Sequence, residues 1–402
     1  MFIGVITQNS EHEQFAQAGA KANDPGQAEL QAKAVADDLN SRGGILGRRV
    51  KLRLYDVDWE KAQQNPNTVG QAACTYFTQD APVVAVWNVN TQIDQAPAFR
   101  ECLAKRKVIL FTAAVRATTD AELRRLAPYY VHTLMVSWDA LAPVLAQRLK
   151  AQGWFQSWDT NLSRPGSAKT KIGILTDGTS QGKHAAEALT RALADVGYPG
   201  ALTFQYADAA QGQAASVMFF KGNGVTHVIV TDVELTAFQY YAAPQAYFPR
   251  YGITSYNLPY GNLQASGFTP PKANNGAMGV GWGALLDVDA AHEPPPTAGA
   301  KRCLQLMSKV GQAPSDGRTI RLYGFSACDA FNLIAGGAQA KGGLDAASIY
   351  SGILAVGQSF SPANGFAPAL TASKPYVQGL ARDISWDSSC GCMSYGTGSA
   401  RF

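Results

Sequence analysis

The sequence predicts an α/β fold with two doubly wound, mostly parallel sheets. Short apolar runs alternate with amphipathic helical stretches from Phe2 to Thr112, and the same alternation restarts after Asp139. A chain of 402 residues also exceeds the usual size of one domain. Strand–helix–strand repeats of this length force parallel pairing through right-handed crossovers.

The first half is read element by element. Phe2 to Thr7 is an apolar strand and Gln27 to Leu39 an amphipathic helix, stopped at Arg42-Gly43-Gly44 by the residue that tolerates a left-handed cap. Val50 to Tyr55 is the second strand and Thr68 to Gln79 the second helix. Pro82 to Trp87 is apolar throughout, as a strand buried on both faces must be. Ala96 to Lys105 is a helix and Val108 to Thr112 a fourth strand.

The second half repeats the scheme. Asp139 to Gln152 is a helix, followed by a polar loop from Gly153 to Ser167. Strands are expected at Lys171–Thr176, Ala201–Tyr206, Val225–Thr231 and Gly252–Ser255. Helices between them fall at Lys183–Val196, Gln213–Lys221 and Thr236–Ala246. The proline run from His292 to Pro296 is a loop or linker, and Gly299–Val310 and Gly324–Ala340 are late helices. The last has small or apolar residues on nearly every face, so it is expected to pack deeply.

Composition removes several function classes. Hydrophobic residues make up 46%, enough to bury a core, so disorder is excluded. The 34 basic residues nearly balance 30 acidic ones and form no dense block, which argues against nucleic acid as a partner. The longest apolar runs, such as Pro82 to Trp87, are too short to span a bilayer. No cofactor fingerprint or phosphate loop is present, and His12, His132, His184, His227 and His292 show no metal-ligand spacing, so neither a cofactor nor a metal is expected.

Six cysteines, an even number, fit an exported protein. Cys74 and Cys102 lie in the helices flanking the third strand, which pack side by side on one face, and a bridge between them is expected. Cys303 and Cys328 occupy neighbouring helices and are expected to form a second. Cys390 and Cys392 either pair locally or stay reduced. The chain enters its first strand at once, as a mature exported fragment would.

The stretch from Ala34 to Asp58, AVADDLNSRGGILGRRVKLRLYDVD, resembles the signature helix and strand of type I solute-binding proteins, the branched-chain amino-acid receptor family of ABC importers. Gly43-Gly44-Ile45-Leu46-Gly47-Arg48 is its specific part, with Ile45 and Leu46 expected to plug the bottom of the sheet. Looser likenesses extend through Val83–Gln92, Lys171–Gly182 and Ser326–Gly343. The resemblance implies two lobes joined by three crossovers, near His132–Trp138, Gly276–Trp282 and Gln358–Ala363. The segments would be 1–135 and 279–360 for one lobe, and 136–278 and 361–402 for the other. It implies a monomeric, extracytoplasmic subunit, periplasmic or at the cell surface with or without a lipid anchor. That subunit would capture a small molecule by hinge closure and deliver it to permease subunits.

Ligands of parallel sheets gather at the carboxyl ends of the strands. That rule selects Gln8 and Asn9, then Asn88, Asn90 and Thr91, then Thr112, Ala114 and Arg116. In the second half it selects Asp177, Ser180 and Gln181, then Asp232 and Glu234, and Tyr256. The plain alternative is that these Asn and Thr residues only cap helices. Trp138 is expected to face the ligand and Trp87 to fill the core. In the resembled family, Ser and Thr after the third strand take an amino-acid carboxylate. Here that loop reads Asn88-Val89-Asn90-Thr91, which suits a neutral or hydroxylated ligand with carbonyls, while Arg116 could hold a carboxylate. Two other functions compete. One is a sensory receptor domain of the same fold. The other is a serine hydrolase using Gly178-Thr179-Ser180-Gln181-Gly182 as a nucleophile elbow, with His227 or His292 as base and Asp232 as orienting acid.

Overall fold

The computed structural model describes residues 1–17, 24–207, 209–265, 267, 269–315 and 317–402. The chain divides into two compact units. Unit 1 comprises Met1–Ala114, Ala121–Met135 and Pro295–Gly379; unit 2 comprises Val115–Asp120, Val136–Pro294 and Leu380–Phe402. Thus residues 279–294, expected in the first lobe, pack with unit 2, and residues 361–379 pack with unit 1.

Unit 1 holds five parallel strands: β1 (Phe2–Thr7), β2 (Lys51–Asp56), β3 (Ala85–Asn88), β4 (Ile109–Thr112) and β5 (Tyr130–His132). Their order is β2-β1-β3-β4-β5. Every residue of β3 and β4 is buried, as their unbroken apolar sequence requires. The edge strand β2 instead alternates exposed and half-buried residues along most of its length. The helix Ala28–Ser41 buries Ala28, Ala32, Val35, Ala36 and Leu39, one stripe at helical spacing.

The glycine motif after this helix has a specific geometry. Gly43 N–H donates to the Asn40 carbonyl at 3.1 Å and Gly44 N–H to the Leu39 carbonyl at 2.9 Å. These two bonds form a Schellman cap, which needs left-handed backbone beyond the helix. Gly43 and Gly44 supply it with φ of 94° and 76°. A Cβ on Gly44 would also come within 2.2 Å of the Arg48 carbonyl oxygen. Ile45 is fully buried, whereas Leu46 is 41% exposed. The expectation for Leu46 is corrected: its φ of 50° turns it out of the core.

The long helix Arg318–Lys341 is buried along most of its length, as its composition predicted. It packs against Ala346–Val356, a helix that the sequence reading passed over, through Gly337 and Gly352. A Cβ on Gly352 would lie 1.9 Å from the Gly337 carbonyl oxygen, so only glycine permits this approach. Ser326 on the same helix accepts a hydrogen bond from Trp87 Nε1 at 3.1 Å. Trp87 is a fully buried core residue.

In unit 2 the helix Trp138–Ala151 precedes a small antiparallel hairpin, β6 (Trp158–Asp159) with β7 (Arg164–Pro165). Its main sheet comprises β8 (Ile172–Asp177), β9 (Leu202–Tyr206), β10 (His227–Val230), β11 (Arg250–Thr254), β12 (Met278–Gly281), β13 (Leu380–Asp387) and β14 (Cys392–Arg401). The order is β14-β13-β12-β11-β10-β8-β9. The strands from β12 to β9 are parallel, while β13 and β14 add as an antiparallel edge. The sequence reading put a crossover where β12 lies and assigned no structure to β13 and β14. A strand as glycine-rich and polar as CMSYGTGSAR gives no apolar signal. Among the described residues no helix is long and apolar enough to cross a membrane.

Cys74 pairs with Cys102 at a Cα–Cα distance of 6.1 Å, and Cys303 with Cys328 at 6.0 Å. Each bridge ties neighbouring helices of unit 1. Cys390 and Cys392, left open by the sequence, also pair. Replacing Cys74 and Cys102 by alanine is expected to lower stability by about 3–4 kcal/mol on the chain-entropy account. Urea unfolding of that variant measures the loss, and non-reducing peptide mapping should recover the Cys74–Cys102 and Cys303–Cys328 linked peptides.

Candidate ligand site

In unit 1 the predicted side chains lie at strand ends, and most are already engaged. Gln8 is buried after β1, and its Oε1 accepts from Asn90 Nδ2 at 3.1 Å. Asn88 ends β3; its Oδ1 accepts from Asn90 N–H at 3.0 Å and its Nδ2 donates to the Asn90 carbonyl at 3.1 Å. Asn90 in turn accepts from Ile93 N–H at 3.0 Å, capping the helix Thr91–Gln95. Thr112 ends β4 and accepts from Ala114 N–H at 3.1 Å. Ala114 is buried and offers no polar side chain. These residues brace the loops, so the helix-capping reading holds for Asn90 and loop closure for Asn88 and Thr112. Asn9 is exposed and Thr91 half-buried at the first turn of its helix.

Unit 2 has a different electrostatic character. Asp177 ends β8, and Thr179 donates to its Oδ1 at 2.5 Å while capping the helix Ser180–Asp195 through Gly182 N–H. Asp232 follows β10 and accepts from Tyr206 Oη at 2.6 Å and from Glu234 N–H at 2.9 Å. Burial, opposed by those two hydrogen bonds and reinforced by the Asp177 and Glu234 carboxylates, pushes the Asp232 carboxyl up to about 7. Burial also raises Glu234. The sequence reading missed Tyr206, although it ends β9 and the strand-end rule would have selected it. Arg116 is buried, with Nη1 donating to the Ala117 carbonyl at 3.0 Å.

Trp138 needs correction. It is fully buried, stacked on Tyr256 at 5.4 Å with the rings 17° apart, rather than facing outward. Tyr256 is buried too; its hydroxyl donates to the Val136 carbonyl at 2.6 Å, and Trp282 meets its ring edge-on at 5.6 Å. This aromatic stack fixes the start of the helix Trp138–Ala151 against the end of β11.

The elbow lacks the geometry of a nucleophile. Ser180 is exposed and its hydroxyl donates to Gln181 Oε1 at 2.9 Å. His227 lies at the opposite end of its strand, where Nε2 donates to the Trp154 carbonyl at 2.8 Å. His292 instead pairs with Asp289 at 2.7 Å.

Two outcomes check the two halves. Asn88→Ala strands the buried Asn90 N–H, and is expected to cost about 1–3 kcal/mol in stability and to weaken ligand binding through the loop. Urea titration and calorimetry read the two effects. For Asp232 the folded pKa lies above the unfolded value, so its stabilising contribution is present below about 4 and lost as pH rises through about 7. The Asp232→Asn variant should show less loss of stability than wild type across that window, measured by urea midpoints at each pH.

The profile of a family described as periplasmic binding proteins matches residues 3–372. No curated protein sequence matches the chain. Among solved structures, the chain resembles the branched-chain amino acid transporter substrate binding protein LivJ of Streptococcus pneumoniae in complex with isoleucine. That match has 15% identity and a TM-score of 0.63, and covers 100% of this chain and 99% of the other. It also resembles a branched chain amino acid ABC transporter protein from Thermus thermophilus with bound valine, at 14% identity and TM-score 0.66, covering 100% and 95%. A periplasmic binding protein type 1 from Bordetella pertussis Tohama I matches at 13% identity and TM-score 0.66, covering 100% and 99%. The sheet orders, the glycine cap and the profile agree: the chain belongs to the periplasmic binding protein family and has its type I fold.

Proposed function

We propose that this protein is the extracytoplasmic solute-capture subunit of an ABC importer, which binds a small organic molecule and passes it unchanged to permease subunits. Family membership supports the class, and similar solved structures are ABC transporter proteins with bound isoleucine and valine. The observation that carries the reading is the division of labour at the strand ends. Unit 1 presents amide and hydroxyl groups on braced loops, while unit 2 presents the carboxylates Asp177, Asp232 and Glu234. Clustered carboxylates repel one another, and a ligand ammonium or hydroxyl group at that position relieves the repulsion. Capture by hinge closure follows when solute contacts stabilise the closed state over the open one.

The solute class follows from those groups. Carbonyl or hydroxyl oxygens suit Asn9 and Thr91, and a cationic or donor group suits the unit 2 carboxylates. Amino acids and hydroxylated amines satisfy both requirements. Thermal-shift screening of such solutes beside neutral and aromatic metabolites should find a ligand that raises the melting temperature. A solute at a hundred times its Kd stabilises by about 2.7 kcal/mol. Scattering with that solute should show a smaller radius of gyration, and the solute should be recovered chemically intact. Stabilisation with turnover, or none across the panel, would count against capture.

A further inference from the structure

The hairpin turn between β13 and β14 carries chemistry that solute capture does not use. Cys390 is exposed and Cys392 is 2% exposed. His292 reaches this turn from the proline-flanked segment after β12, and its Nε2 lies 3.6 Å from Cys392 Sγ. The two sulfurs and a His292 ring nitrogen all lie within 4.8 Å of one another. His292 Nδ1 pairs with Asp289 Oδ1 at 2.7 Å. Asp289 Oδ2 accepts from Gln264 Nε2 at 2.7 Å, and Gln264 Oε1 accepts from Met393 N–H at 3.2 Å. The imidazole is therefore oriented by a carboxylate that is itself tied to the strand bearing Cys392. With the Nδ1 proton held by Asp289, the Nε2 lone pair points toward sulfur. This carboxylate–histidine pairing is the arrangement that orients and strengthens histidine ligands of metals.

We infer that Cys390, Cys392 and His292 form a redox-gated site for a thiophilic cation with a filled d shell, of which zinc(II) is the representative. Two thiolates and one imidazole are three of the four ligands of a tetrahedral zinc site, with the fourth position open to water. The bridge is the closed state of the gate. A dithiol reductant opens it when one of its thiolates attacks exposed Cys390 Sγ. The sulfur–sulfur bond breaks, and its electron pair leaves on Cys392 Sγ, which takes up a proton beside His292. The second thiol of the reductant then displaces Cys390, leaving one oxidised reductant and two protein thiols. Zinc(II) binding releases both thiol protons and takes the Nε2 lone pair. Selectivity over the other bridges follows from exposure: Cys390 is exposed, whereas Cys102 is half-buried and Cys74, Cys303 and Cys328 are at most 2% exposed.

The test uses the purified chain with a mild phosphine reductant and zinc(II) as the only added metal. Alkylation and mass spectrometry should locate the new thiols at Cys390 and Cys392. Competition with a chromophoric chelator should then show equimolar zinc on reduced protein and none on oxidised protein. The variant Cys390→Ser with Cys392→Ser should lose that binding. Asp289→Asn should weaken it roughly 10–100-fold, and His292→Ala should weaken it at least as far. A bridge that stays closed under mild reduction would overturn the site. So would zinc binding equal to that of the double serine variant, or unweakened in His292→Ala, a single change that leaves both sulfurs in place.

Discussion

A parallel sheet covered on both faces leaves polar side chains almost no place except the strand ends. This constraint organises both units. β3, β4, β10 and β11 are buried at every residue, with His227 and Arg250 at the first position of β10 and β11 and polar Asn88, Thr112 and Thr254 at the last position of β3, β4 and β11. There the chain must turn, expose backbone N–H groups and begin a helix. Each turn therefore needs a side-chain acceptor nearby, which is why Asn88, Asn90, Thr112, Thr179 and Asp232 stand where they do. The side chains at these positions satisfy the loops that leave the strand ends.

The two units answer the constraint with different chemistry. Unit 1 uses amides, which donate and accept at once, and it links Gln8, Asn88 and Asn90 into one network across two strands. Unit 2 uses carboxylates, which only accept when ionised. Asp232 is raised to about 7 because burial and its acidic neighbours disfavour the charge, while Tyr206 and a backbone amide only partly offset them. Such a group is sensitive to any cation placed beside it.

The core and the strand ends were legible in the sequence because they rest on periodicity and topology. β1 runs from Phe2 to Thr7 as the apolar run predicted, and Cys74–Cys102 follows from two helices flanking one strand. What could not be read depends on partners far along the chain. Trp138 reads as a ligand-facing aromatic until Tyr256 is placed against it. β13 and β14 carry no strong hydrophobic alternation, since edge strands bury less than central ones. Leu46 shows the opposite limit, because a left-handed backbone decides its direction rather than its hydrophobicity.

The bond from Trp87 to the long helix Arg318–Lys341 spans 239 residues of sequence. Unit 1 completes its sheet and several covering helices within the first 135 residues, yet the deeply buried helix Arg318–Lys341 and its partner Ala346–Val356 arrive only after Pro295. Unit 2 likewise waits for the last 23 residues to supply β13 and β14. Loop-closure entropy makes contacts of this separation slow to form. Until those distant segments dock, apolar surface of each half stays uncovered, and that is the stage at which the chain is open to aggregation.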